Sequence, residues 1–163
     1  MTLQYGHWNL PFNELLDQYG EEEARRRFDA GEVLHVLAGD PEGPDLVVQI
    51  ARSGRNISTY WLDEYRRPEL SYTFAVPSDA PGWPSDVLLL EQSHLRAYDE
   101  PGPEADHSAI ESYYFHPDGT VFGSRGPVTG DREEMRTTMP VEQLQTERVP
   151  AFGEWEPFLR RER

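Results

Sequence analysis

Tyr113-Tyr114-Phe115-His116-Pro117-Asp118-Gly119-Thr120-Val121-Phe122 is the stretch on which the reading of the fold turns. Two aromatic, strand-favouring runs flank Pro-Asp-Gly, which suits a type I turn followed by a glycine in the left-handed region. Pairing His116 with Thr120 sets the register. Tyr114 then faces Phe122 and Ser112 faces Ser124, while Phe115 faces Val121, Tyr113 faces Gly123 and Glu111 faces Arg125. One face of the hairpin therefore carries Ser112, Tyr114, His116, Thr120, Phe122 and Ser124, and the other Glu111, Tyr113, Phe115, Val121 and Arg125. Aromatic side chains on both faces imply that neither is fully solvated.

Upstream, strand signals continue. Residues 33–38 and 46–51 flank a turn-rich segment at 39–45, and 57–62 follows the break Ser53-Gly54-Arg55-Asn56. Residues 70–76 alternate, with Leu70, Tyr72, Phe74 and Val76 on one side. Residues 87–98 read as a long strand with Gln92, His94, Arg96 and Tyr98 on one face and Leu95 and Ala97 on the other. Nothing helical separates these runs, so parallel crossovers are hard to build and an antiparallel meander is the economical arrangement.

The main helical segment is expected over 13–29, with Asn13 as N-cap and Leu15, Leu16, Tyr19, Ala24 and Phe28 as its apolar stripe. Gly20 weakens or kinks it. The charges suit a start near Gly20, since Glu21, Glu22 and Glu23 precede Arg25, Arg26 and Arg27 at i,i+4 spacing. Gly31 is a natural stop. Toward the C-terminus, 135–139 reads as a strand, 141–146 as a helical turn, and the proline-broken aromatic run 150–158 as a lid on the core. The expected fold is a single α+β domain over 1–163. One N-terminal helical segment packs on a curved, mostly antiparallel sheet of six to eight strands, with closure into a barrel as an option.

Composition excludes several chemistries. All 15 basic residues are arginines and there is no cysteine. Internal Schiff-base lysines, a Walker lysine, disulfides and thiolate metal sites are therefore ruled out. The 19 aromatic residues supply large buried areas to a core held by packing alone. No apolar run approaches a membrane span, and the opening residues lack the basic start and apolar stretch of a signal peptide, so a cytoplasmic protein is expected. Arginine-only basicity with abundant Ala, Gly and Pro fits a bacterial, GC-rich source.

The net charge of −15 is concentrated. Residues 68–124 hold ten carboxylates and one arginine, Arg96, a balance of −9. That field repels phosphate backbones, so no nucleic-acid partner is expected, and it draws a basic protein inward. Two proline-rich loops, 77–86 and 99–108, carry Asp79, Trp83, Asp86, Asp99, Glu100, Glu104 and Asp106. If the loops meet at one end of the sheet, they form an anionic rim around an aromatic centre, with Trp83 as anchor or as packed plug.

A rival constellation is His94, Tyr114 and His116. If their faces line a barrel, two imidazoles and a phenol converge, and histidine carries protons near neutral pH while tyrosine donates to an oxyanion. Glu111 has the opposite parity and cannot join them, so no metal site is expected. His35 alternates with Val33 and Leu37 and reads as a buried, hydrogen-bonded histidine. His107, in a loop beside Asp106, reads as solvated, and His7 carries no signal. Two functions follow. The favoured one is an acidic binding protein that neutralises a basic protein, the profile of many bacterial immunity proteins and antitoxins. The alternative is a cofactor-free isomerase or cyclase that takes an apolar small molecule in an aromatic β-barrel pocket.

Overall fold

The computed structural model describes residues 2–40 and 43–163. Eleven strands are found among them: β1 (Leu3–Asn9), β2 (Glu14–Tyr19), β3 (Leu34–Asp40), β4 (Gly43–Ala51), β5 (Asn56–Leu62), β6 (Pro68–Ala75), β7 (Val87–Ala97), β8 (Ala109–Phe115), β9 (Thr120–Pro127), β10 (Glu133–Thr138) and β11 (Thr146–Arg148). The helix α1 spans Glu21–Asp29. The strands form one sheet in the order β10-β9-β8-β7-β6-β5-β4-β3-β1-β2, with β11 on the early half of β7, and the pairs are antiparallel.

Two expectations are corrected. The sheet has eleven strands, not six to eight, and it is open, with β10 and β2 at its ends, rather than a closed barrel. In place of a second wall, α1 and the tail over 149–163 cover one face. Ala24 and Phe28 from the helix and Trp155 and Phe158 from the tail join Leu34, Val36, Val48, Ile50, Ile57, Phe74 and Leu88 in the core. The 150–158 lid is thus in place, with Trp155 packed edge-on against Phe28 and Phe152 at 5.6 Å from each. A smaller cluster of Trp8, Leu37, Val47 and Leu62 lies on the opposite face.

The helical reading of 13–29 fails in its first half. Glu14–Tyr19 is a strand, and the helix starts after Gly20. Leu15 and Tyr19 fit a helical stripe on paper. In the fold Leu15 packs with Trp8, and Tyr19 pairs with Tyr5. Arg27 stacks over the Tyr19 ring at 4.3 Å, so α1 and β2 hold each other. The tail differs in detail. The strand expected at 135–139 begins two residues earlier, and 141–146 divides into a 3-10 turn (Val141–Gln143) and the start of β11. The turn expected at 39–45 includes positions 41 and 42, which lie outside the described residues.

The deciding hairpin forms in the expected register. His116 N–H donates to the Thr120 carbonyl and Gly119 N–H to the His116 carbonyl, both at 2.9 Å, and Tyr114 lies opposite Phe122. Gly119 has φ +86°, and a β-carbon there would collide with the Met139 carbonyl oxygen. Gly119→Ala is therefore expected to cost about 2 kcal/mol of stability. The urea midpoint measures it, and an unshifted midpoint would contradict the turn assignment.

Candidate partner-binding groove

One row of residues crosses the sheet from the core into water. Leu46, Trp61, Leu70, Leu95, Glu111, Arg125 and Glu133 are successive register partners from β4 to β10. Leu46 is 2% exposed and Trp61 6%, but Leu95 is 46% exposed. The change comes past β6, where Arg161 contacts Tyr72 and Glu69. Arg161 pairs with Glu69 at 2.5 Å, and its carbonyl accepts from Tyr72 Oη at 2.9 Å. Beyond that boundary no described residue outside the sheet covers the exposed Leu95.

The uncovered strip is a groove of about 720 Å³. Its floor is apolar, with Leu95, Ala97, Ala109 and Pro127, and Tyr98 stands at its side. Five carboxylates line it, Asp63, Glu69, Glu111, Asp131 and Glu133, against three arginines, Arg67, Arg96 and Arg125. The arginines are engaged: Arg67 with Asp63 at 2.7 Å, Arg125 with Glu133 at 2.6 Å, and Arg96 with Ser71 Oγ at 3.1 Å. Glu111 accepts from Tyr113 Oη, which raises the phenol pKa. The flanking loop adds Asp99, Glu100, Glu104 and Asp106, with no arginine between 99 and 108.

That loop is pinned by Arg67. Its Nη1 donates to the carbonyls of Glu100 at 2.8 Å and Gly102 at 3.0 Å, and its guanidinium lies 3.9 Å from the Tyr98 ring centroid and 4.8 Å from that of Tyr65. Burial and the charge of Arg96 lower the His107 pKa. Its ring rests edge-on against Tyr98 at 6.2 Å, so it is partly buried rather than solvated.

The two acidic loops do not meet. Loop 77–86 precedes β7 and loop 99–108 follows it, and an eleven-residue strand holds them apart. At about 3.3 Å per residue they stand roughly 30 Å from each other. Asp79 and Trp83 line a separate cleft of about 620 Å³ with His116, Asp118 and Val141. Trp83 is tied down there, its Nε1 donating to the Val87 carbonyl at 2.8 Å. Asp86 is exposed, and its carbonyl accepts from Val149 N–H, anchoring the tail.

The histidine constellation divides. His94 Nδ1 lies 2.9 Å from Ser112 Oγ, and its ring meets Tyr114 edge-on at 5.7 Å. Burial, with Arg96 beside it, lowers its pKa. His116 packs instead against Phe122 at 5.4 Å. With the barrel absent, these groups sit on an open sheet face where Tyr114 and Phe122 are each about two-fifths exposed. That face is partly rather than fully solvated, since Ser112 on it is only 7% exposed. The open sheet leaves one face of β8–β10 without an opposing layer.

His35 is buried and accepts from Trp8 N–H at 3.3 Å through Nδ1. Leu95, Glu111, Asp131 and Glu133 are groove residues that reasoning from sequence does not single out. The alternation of Leu95 with Ala97, and the parity of Glu111, are the signals that point to them. Among the described residues no cluster of three or more His, Asp or Glu side chains is placed to hold a metal ion, and no helix is long and apolar enough to cross a membrane. Compared with protein-family models, curated proteins and solved structures, the chain matches none.

Proposed function

We propose that this chain is an acidic binding protein that neutralises a basic protein, docking it in the groove over β7–β10. The observation that carries this reading is the row of residues running from buried Trp61 to open Leu95 between carboxylates. An apolar floor supplies the desolvated centre of an interface, and the rim charges steer a cationic surface toward it. The isomerase or cyclase reading needs an enclosing barrel. The open sheet removes that support.

The test uses a defined cationic probe, a nona-arginine peptide, titrated into isotope-labelled protein with amide shifts as readout. Shifts centred on Leu95, Glu111, Gly126 and the 99–106 loop are expected. Shifts centred on the Trp83 cleft, or spread evenly over the acidic surface, would overturn the groove assignment. For a protein partner, raising salt from about 0.05 to 0.5 M should cut the association rate at least tenfold. Neutralising Asp99, Glu100, Glu104 and Asp106 should act on that same rate, and Leu95→Ala on dissociation.

A further inference from the structure

The edge strand β10 is exposed along its whole length and has no pairing strand on its outer side among the described residues. Its ladder parity is set by Met139 N–H, which donates to the Gly119 carbonyl at 2.9 Å. Odd-numbered residues of β10 therefore bond to β9. The backbone N–H and C=O groups of Glu134, Arg136 and Thr138 point outward. Such an edge is a template for another strand, and charged side chains commonly blunt it. Here the charges have both signs.

We propose that β10 pairs antiparallel with β10 of a second copy, giving a closed two-fold dimer and one continuous sheet. The register that places Glu134 opposite Arg136 of the second copy places Arg136 opposite its Glu134 as well. It also puts Met135, itself 45% exposed, against its own counterpart. Both outward-bonding residues then meet opposite charges, and the central pair is apolar, which is the pairing that stabilises adjacent strands. Arg136 already lies over the Phe122 ring, at 5.3 Å, so the new pair extends an existing cross-strand row.

Charge singles out this edge. Residues 132–138 hold Arg132, Glu133, Glu134 and Arg136, a balance of zero on a chain of net −15. Two copies can bring these segments together with opposite charges facing each other. The opposite edge differs. β2 carries only acids, Glu14 and Asp17, and its pairing with β1 shifts register at His7/Trp8. A contact between β10 and β2 would also propagate without closing, whereas β10 on β10 closes after two copies.

This inference does not rest on the groove reading, since the groove floor lies on β7–β9. The experiment is sedimentation velocity at about 100 μM protein in about 0.15 M salt, where screening over about 8 Å damps the net repulsion. The wild type is expected to sediment as a dimer. Arg136→Pro removes an outward N–H that β9 does not use, so the fold is kept and the dimer constant weakens at least tenfold. Glu134→Arg and Arg136→Glu each place like charges opposite and are expected to be monomers alone. Mixed one to one, they are expected to form a heterodimer, and the double exchange Glu134→Arg/Arg136→Glu should restore self-association. A monomeric wild type, a dimer indifferent to Arg136→Pro, or single variants that fail to pair on mixing would overturn the proposal.

Discussion

Arg67→Met is expected to lower the unfolding free energy by about 3–5 kcal/mol, the usual cost of stripping one partner from a buried ion pair. Arg67 is 6% exposed and has no solvent to fall back on. Its Nε and Nη2 both donate to Asp63 Oδ2 at 2.7 Å, while Asp63 Oδ1 accepts from the backbone N–H of Tyr65 and Arg67. Methionine matches the length of the side chain but leaves that carboxylate without its counter-charge. It also leaves the Glu100 and Gly102 carbonyls without their donor. Urea unfolding gives the stability, and hydrogen exchange at residues 99–106 gives the freedom of the loop. Arg67→Lys should recover the charge but not the four-way geometry, because an ammonium cannot span the carboxylate and both carbonyls. A stability loss below about 1 kcal/mol for Arg67→Met would show that the hub is dispensable. The variant links stability to binding, since the loop it releases carries four of the carboxylates flanking the groove.

Acidification is expected to expose a second weak point, at His35. Burial first, and the charge of nearby His7 second, lower its pKa from 6.5 to about 4, against a backbone hydrogen bond with Gly6 that pulls the other way. The two imidazoles stack at 5.5 Å. Protonating Nδ1 would also set a donor against the Trp8 N–H that it now accepts. The native state therefore holds His35 neutral, while the unfolded chain takes up a proton near pH 6.5. Between about pH 6.5 and 4 the unfolded state binds more protons, so stability falls as the pH falls. The contribution present above pH 6.5 and lost by pH 4 is on the order of 3 kcal/mol. His35→Gln keeps an acceptor for Trp8 N–H and removes the titration. The stability gap between wild type and His35→Gln should narrow by about that amount from pH 7.5 to pH 4. Parallel curves would exclude His35 as the titrating group.

Local signals were legible where one short segment contains its own answer. Pro117-Asp118-Gly119 dictates its turn, and the turn dictates which residues of β8 and β9 face each other. The alternation in 70–76 and the acids-first charge order of α1 are of the same kind. Illegible segments lack such contrast. β2 is an edge strand exposed on most positions, so no burial pattern marks it, and Leu15, Leu16 and Tyr19 satisfy helical spacing as well as a strand. The strand total was low because β1, β2 and β11 show no clean alternation.

The groove depends on a different kind of information. The sequence by itself determines that Leu95 lies on the face of its strand away from His94 and Glu111 on the face of its hairpin away from Tyr114, that the chain is acidic, and that lysine and cysteine chemistry is absent. Whether Leu95 is core or surface depends on how far α1 and residues 149–163 reach across the sheet. That reach is decided by contacts between segments far apart in the chain, such as Arg161 with Glu69 and Trp155 with Phe28. The same holds for the acidic loops. Their composition is local, but an antiparallel β7 of eleven residues sends them to opposite ends of the sheet. Alternation along a strand reports which face a side chain takes. Only the tertiary structure decides what covers that face, because covering it is the work of other segments.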